Sequence, residues 1–146
     1  MATHQDAYPV DLLERRIAAV SGGDDLPGLD YSYYDPEDLS ATAKEDVSVD
    51  GDGTMYMFVK RPPPMTFLDR KTGNGYWRPN DSRKMVKNSK GEEVVSKASL
   101  SFYYLKPTDD GSGINGCRSE RTLWRMHEFA SVADERIALR VVYKRA

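Results

Sequence analysis

The side chains best placed to do chemistry in this sequence are basic. Residues 60–90 carry nine bases, Lys60, Arg61, Arg70, Lys71, Arg78, Arg83, Lys84, Lys87 and Lys90, against Asp69 and Asp81, a net charge of +7. A run of that sign attracts phosphate and concentrates polyanions near the surface. The preceding stretch does the opposite: residues 23–52 hold ten acids against Lys44, a net charge of −9. The overall charge of −2 and the pI of about 5.7 average this asymmetry away. Charge alone does not separate a polyanion site from a solvated basic loop balanced by an acidic one.

Catalytic arrangements are absent from the pattern. Gly73-Asn-Gly75 lacks the third glycine and the following helix of a dinucleotide fingerprint, and there is no Gly-Lys-Ser/Thr phosphate loop, so it reads as a turn. His127 and Glu128 are neighbours on a strand pattern, which sends their side chains to opposite faces and prevents them from sharing a substrate. The lone Cys117 has no histidine nearby to act as its base. One cysteine and two distant histidines, His4 and His127, offer no metal-ligand spacing and no internal disulfide. We expect no enzyme activity, no cofactor and no structural metal.

The elements that must position the basic segment follow from periodicity. Leu13, Ile17 and Val20 recur at helical spacing between Glu14, Arg15 and Arg16, predicting an amphipathic helix over 10–20, with Pro9 in its first turn and Ser21-Gly22-Gly23 ending it. A loop through Pro27-Gly28 and a short aromatic segment at 31–34 lead to Asp35-Pro36, an N-cap and first position for a single helical turn. Residues 54–60 are β-prone and stop at Pro62-Pro-Pro64, a stiff linker. Short extended pieces follow at 76–78 and 83–87. Residues 94–105 alternate, with Leu100, Phe102 and Tyr104 on one face, and so do 122–129. Those two strands predict an antiparallel hairpin around the Gly- and Asp-rich loop 107–116, and a last strand spans 137–144.

At 146 residues the chain has a one-domain length, able to bury a core without disulfides or metal. Its aromatic content of 10% argues against disorder throughout, although the mean hydropathy of −0.66 implies long polar loops. No apolar run approaches the roughly 20 residues of a membrane span, and no secretory signal precedes the helix. A reducing compartment is expected. The order of one helix followed by antiparallel strands, without βαβ alternation, predicts a single α+β domain over 1–146.

Several segments, taken in order, resemble the NAC domain, the DNA-binding domain of a plant-specific family of transcription factors. Leu13-Glu-Arg-Arg-Ile17 and Asp30-Tyr-Ser-Tyr with Pro36-Glu-Asp-Leu39 are loosely similar to its first elements. Arg70-Lys-Thr-Gly-Asn-Gly-Tyr-Trp-Arg78 is similar to its basic run into Gly-Tyr-Trp-Lys. Lys97-Ala-Ser-Leu-Ser-Phe-Tyr103 and Arg121-Thr-Leu-Trp-Arg-Met-His-Glu-Phe129 look like its next two strands, the latter most specifically. The likeness covers about residues 12–131.

The resemblance implies a twisted antiparallel sheet flanked by a few short helices, nuclear residence, and sequence-specific binding of double-stranded DNA by an edge strand in the major groove. The family's Trp-Lys-Ala-Thr-Gly-Thr-Asp-Lys motif falls on Trp77-Arg-Pro-Asn-Asp-Ser-Arg-Lys84, where Pro79, Asn80, Asp81 and Arg83 depart from the pattern. Pro79 restricts Arg78 to extended backbone, compatible with a strand edge. The implied interface comprises Arg70, Lys71, Trp77, Arg78, Asn80, Arg83, Lys84 and Lys97. In it the bases mostly hold phosphates, Asn80 or Arg83 reads base edges, and Trp77 anchors the strand. The family also dimerises through an N-terminal segment of which Gln5-Asp-Ala-Tyr8 is at best a remnant, so homo- or heterodimerisation with NAC proteins is a secondary expectation. The competing reading is a NAC-like interaction module that binds DNA poorly and modulates other family members.

Overall fold

The computed structural model describes residues 4–19, 32–37, 47–49, 51–60, 70–108, 116–134 and 136–145. Among these, helix α1 (His4–Ala19) precedes seven strands: β1 (Val47–Val49), β2 (Met55–Lys60), β3 (Gly75–Pro79), β4 (Lys84–Lys87), β5 (Glu93–Pro107), β6 (Cys117–Ser131) and β7 (Ile137–Lys144). They form one antiparallel sheet in the order β1-β2-β7-β6-β5-β3, with β4 also paired to β5. The two fifteen-residue strands β5 and β6 are its spine.

Alternation along the strands sorts side chains into two layers. On one face Met55, Met57 and Val59 of β2 pack with Ala98, Leu100 and Phe102 of β5, Met126 and Ala130 of β6, and Ala138 and Val142 of β7, together with Trp77 and Tyr33. On the other, Val10 and Leu13 of α1 cover Phe129, Ile137, Leu139 and Val141, with Val86 and Val95 alongside. Both faces of β7 are therefore covered, and its positions Ile137 to Val142 are all buried, Arg140 among them. Burying Leu13 or Leu139 in this way is worth about 1.5–3 kcal/mol each.

Three expectations are corrected here. Helix α1 starts six residues earlier than the apolar spacing predicted, so that Pro9 lies inside it rather than in its opening turn. Proline removes one i→i−4 bond there. Contacts on either side offset that loss: Asp6 pairs with Lys97 at 2.8 Å, Tyr8 meets Tyr56 edge-on, and Val10 is 1% exposed. Strand β1 lies in the acid-rich stretch where no strand was expected, pairing Val47–Val49 with β2 across a turn in which Gly53 adopts φ +80°. Finally, α1 is the only full helix among the described residues; Pro36 and Glu37 are helical, and the rest of the turn expected at 35–39 lies outside them. The expected Pro62–Pro64 linker, the Ser21–Gly23 stop and the Pro27-Gly28 loop also lie outside the described residues.

Candidate nucleic-acid interface

Strands β3 and β4 lie end to end along one side of β5. β3 pairs with residues 100–104 and β4 with 93–97, and residues 80–83 join them. This composite strand is the outer edge of the sheet, so one side of its backbone has no strand partner among the described residues. Its sequence suits an edge: Pro79 has no N–H to offer a ladder, Lys84 discourages stacking, and a bulge falls between Val86 and Lys87.

The start of β3 is fixed by a residue from the acidic segment. Asp35 is 3% exposed, and its carboxylate accepts hydrogen bonds from the Thr72 hydroxyl, from the Asn74 backbone N–H at 3.1 Å and from Asn74 Nδ2 at 2.7 Å. Those bonds shape the 72–75 turn, which also closes through Thr72 N–H to the Gly75 carbonyl at 2.8 Å and a bridge between Lys71 and Tyr76. Gly75 is needed for close approach rather than for φ. A Cβ there would lie 2.0 Å from the Tyr103 carbonyl oxygen, blocking the pairing of β3 with β5. The expected cap residue Asp35 thus anchors the Gly73-Asn-Gly75 turn, a role no local pattern announced.

Trp77 is the support beneath the edge. It is 0% exposed, packs on Phe102, and donates its indole N–H to the Tyr34 carbonyl at 2.9 Å. Counted with the interface on the resemblance as the anchor of its strand, it is wholly internal. Next along the strand, Arg78 is exposed opposite Ser101. Asn80 is exposed too, and its Oδ1 accepts from the buried Ser101 hydroxyl at 2.8 Å.

A buried ionic network holds β4 to the spine. Glu128 of β6, 4% exposed, accepts from Arg140 Nε at 2.9 Å, from Arg83 Nη1 at 3.1 Å and from the Tyr33 hydroxyl at 3.2 Å. Arg140 is fully buried, stacks its guanidinium over Tyr33 at 3.9 Å and donates to the Ser32 carbonyl at 2.7 Å. Burial would push the Glu128 carboxyl up, but Arg140 and then Arg83 hold it below the usual carboxylate range. Burial, and then the Glu128 charge, push the Tyr33 phenol up. Arg83 also donates to Ser96 Oγ at 3.0 Å and to the Glu128 carbonyl at 3.1 Å. Its fork is committed inward.

The remaining predicted residues divide in the same way. Lys84 is 74% exposed and pairs with exposed Asp81 at 3.2 Å, a contact a phosphate can displace because exposed pairs contribute about 0–1 kcal/mol. Lys71 is exposed beside the turn, and Arg70 is half-buried close to Tyr33. Lys97 lies opposite Lys84 on the α1 face, its ammonium held by Asp6 and lying over Phe129. The structure therefore brings Lys71, Arg78, Asn80 and Lys84 to the edge and draws Trp77, Arg83 and Lys97 inward. His127 and Glu128 do point to opposite faces: His127 meets the Tyr143 hydroxyl at 3.3 Å, far from the Glu128 network in chemical terms. Sequence reasoning missed Asp35, Gly75, Ser101 and Arg140 as supports; the only signal for Glu128 was its place in the Met-His-Glu motif.

These features define an α+β domain built on one antiparallel sheet with a cationic outer edge. The family model described as No apical meristem (NAM) protein matches residues 9–131. NAC domain-containing protein 83 of Arabidopsis thaliana is 31% identical over 108 residues, which cover 71% of this chain and 36% of that protein. The chain thus spans about a third of the length of the curated relative it matches. It belongs to the NAC family.

Proposed function

We propose that this chain is the sequence-specific double-stranded-DNA-binding domain of a NAC-type transcription factor, and that the β3–β4 edge enters the major groove. The observation that carries the reading is this edge itself. It is a strand with no strand partner on its outer side among the described residues, bearing exposed Arg78, Asn80 and Lys84. The major groove admits a β element of that width. Lys71, Arg78 and Lys84 hold backbone phosphates, with Arg70 next to them. Base reading falls to Asn80, whose Nδ2 donates to a base acceptor while Oδ1 keeps Ser101, and to Arg78 where it reaches guanine. Arg83 and Lys97 act as struts, because Arg83 is tied to Glu128 and Ser96 and Lys97 to Asp6. Regulation of transcription, nuclear residence and pairing with other NAC proteins follow from the same reading.

Arg78→Ala with Lys84→Ala tests it by fluorescence anisotropy across about 50 to 200 mM salt. Each lost phosphate contact removes about 0.9 from the log–log salt slope, so the double variant should lose about 1.8. An unchanged slope would overturn the assignment of these residues.

A further inference from the structure

Several basic side chains have an acid partner. Arg15 pairs with Asp11, Arg83 and Arg140 with Glu128, Lys84 with Asp81, Lys97 with Asp6, Lys106 with Glu120, and Arg136 with Asp134. Four arginines gathered on one face of the sheet do not. Among the described residues, none of Arg78, Arg121, Arg125 and Arg145 has a carboxylate within ion-pair distance.

Register brings them together. Arg78 of β3 lies opposite Ser101 of β5, Ser101 opposite Arg125 of β6, and Arg125 opposite Tyr143 of β7. Arg121, one pair further along the same face and opposite Tyr103, donates to the Ser101 hydroxyl at 3.2 Å. Arg145 follows β7, its backbone N–H bonded to the Leu123 carbonyl at 2.8 Å. Arg125 is only 7% exposed, and its guanidinium finds two carbonyls of its own strand, those of Thr122 and Trp124. A buried cation ordinarily has a counter-charge, and this one has two further cations close by instead. Burial, then Arg121 and then Arg145, disfavour its charged form. An anion on this face would relieve all three at once.

We propose that Arg121, Arg125 and Arg145 form a phosphate track for the DNA backbone, continuing across the sheet face from Arg78 at the β3 edge. The inference rests on the function proposed above and extends its interface. The row from Arg78 through Ser101 to Arg125 crosses two strand spacings, about 10 Å. Successive phosphates of one DNA strand lie farther apart than its axial rise of about 3.4 Å, so a backbone laid over the row presents about two phosphates to it. Exposed Arg121 and Arg145 touch the phosphates, and Arg125 supplies positive field from beneath. Ser101 links track to edge, because its hydroxyl joins Arg121 to Asn80.

The test is Arg121→Gln with Arg145→Gln, measured by anisotropy on a site-bearing and a scrambled duplex at 50 to 200 mM salt, beside Arg121→Lys with Arg145→Lys. Loss of two contacts lowers the slope by about 1.8, so the glutamine variant's affinity should fall about 12-fold less over that fourfold salt range than the parent's. The ratio between the two duplexes should stay constant, since phosphate contacts carry no sequence information. The lysine variant should keep the parental slope, which excludes misfolding as the cause. A parental slope in the glutamine variant, or a shifted site-to-scrambled ratio, overturns the track while leaving the edge reading intact. A parent chain that binds neither duplex overturns that reading and the track with it.

Discussion

Glutamine at position 128 isolates the buried network from everything else in the sheet. The substitution keeps the size of the side chain and one carbonyl oxygen, but removes the charge facing Arg140, which is 0% exposed, and Arg83, which is 39% exposed. Breaking one partner of a buried ion pair typically costs about 3–5 kcal/mol, because the remaining charge is left buried and uncompensated. For 146 residues at about 2.1 cal/mol/K each, the unfolding entropy is near 0.3 kcal/mol/K, so Tm should drop by about 10–16 °C. Thermal melting followed by far-UV circular dichroism reads this directly. Arg83→Ala should cost clearly less, since Arg83 is partly solvated and its loss leaves the Glu128–Arg140 pair in place. Replacing Glu128 by Leu and Arg140 by Met together should recover part of the loss, because an apolar pair leaves no buried charge. A Tm change below about 3 °C for Glu128→Gln would refute the argument that this carboxylate holds β4 to the spine.

Acid should destabilise the fold in two stages. Burial, and then the Lys97 charge, push His127 down to about 4 against an ordinary value of 6.5, with Asp6 opposing. The unfolded chain therefore binds the extra proton first. His127's contribution is fully present above pH 6.5 and is lost as pH falls towards 4, at no more than about 1.4 kcal/mol per pH unit. Glu128, held below its usual 4.5, adds a second loss as pH falls below that value. Urea midpoints from pH 7.5 to about 3 check both, and a midpoint constant between pH 6.5 and 5 would contradict the first. Asp35→Ala should unhook the 72–75 turn at a cost of about 1–3 kcal/mol, since the Asn74 N–H and amide lose their buried acceptor. Amide exchange at Gly75 and Tyr76 should accelerate more than at β7; uniform protection across the sheet would argue against it.

How much of this was legible depended on whether a feature is local. The last strand was placed to the residue at Ile137–Lys144, and alternation found the cores of β5 and β6, because one hydrophobic face per strand is written at period two. The hairpin between them followed from adjacency. The start of α1 was missed because helix propensity weighs Pro9 locally, whereas Asp6 finds Lys97 ninety-one residues away. Strand β1 was hidden in an acidic stretch and is short. The site was legible in its composition but not in its division of labour. Arg78 and Arg83 read alike in a basic run, yet one faces outward at the edge and the other is folded onto Glu128, forty-five residues on. The arginines at 121 and 125 fall in a strand read for its Trp, Met and His, and only register shows that they converge on Ser101.

The measurement that tests the central claim most directly is anisotropy of this chain with a CGT-core duplex against a scrambled one, from about 50 to 200 mM salt. The account predicts tighter binding to the CGT-core duplex and a steep fall in affinity with salt, as phosphate contacts require. Equal affinity for both duplexes, or binding insensitive to salt, would contradict it.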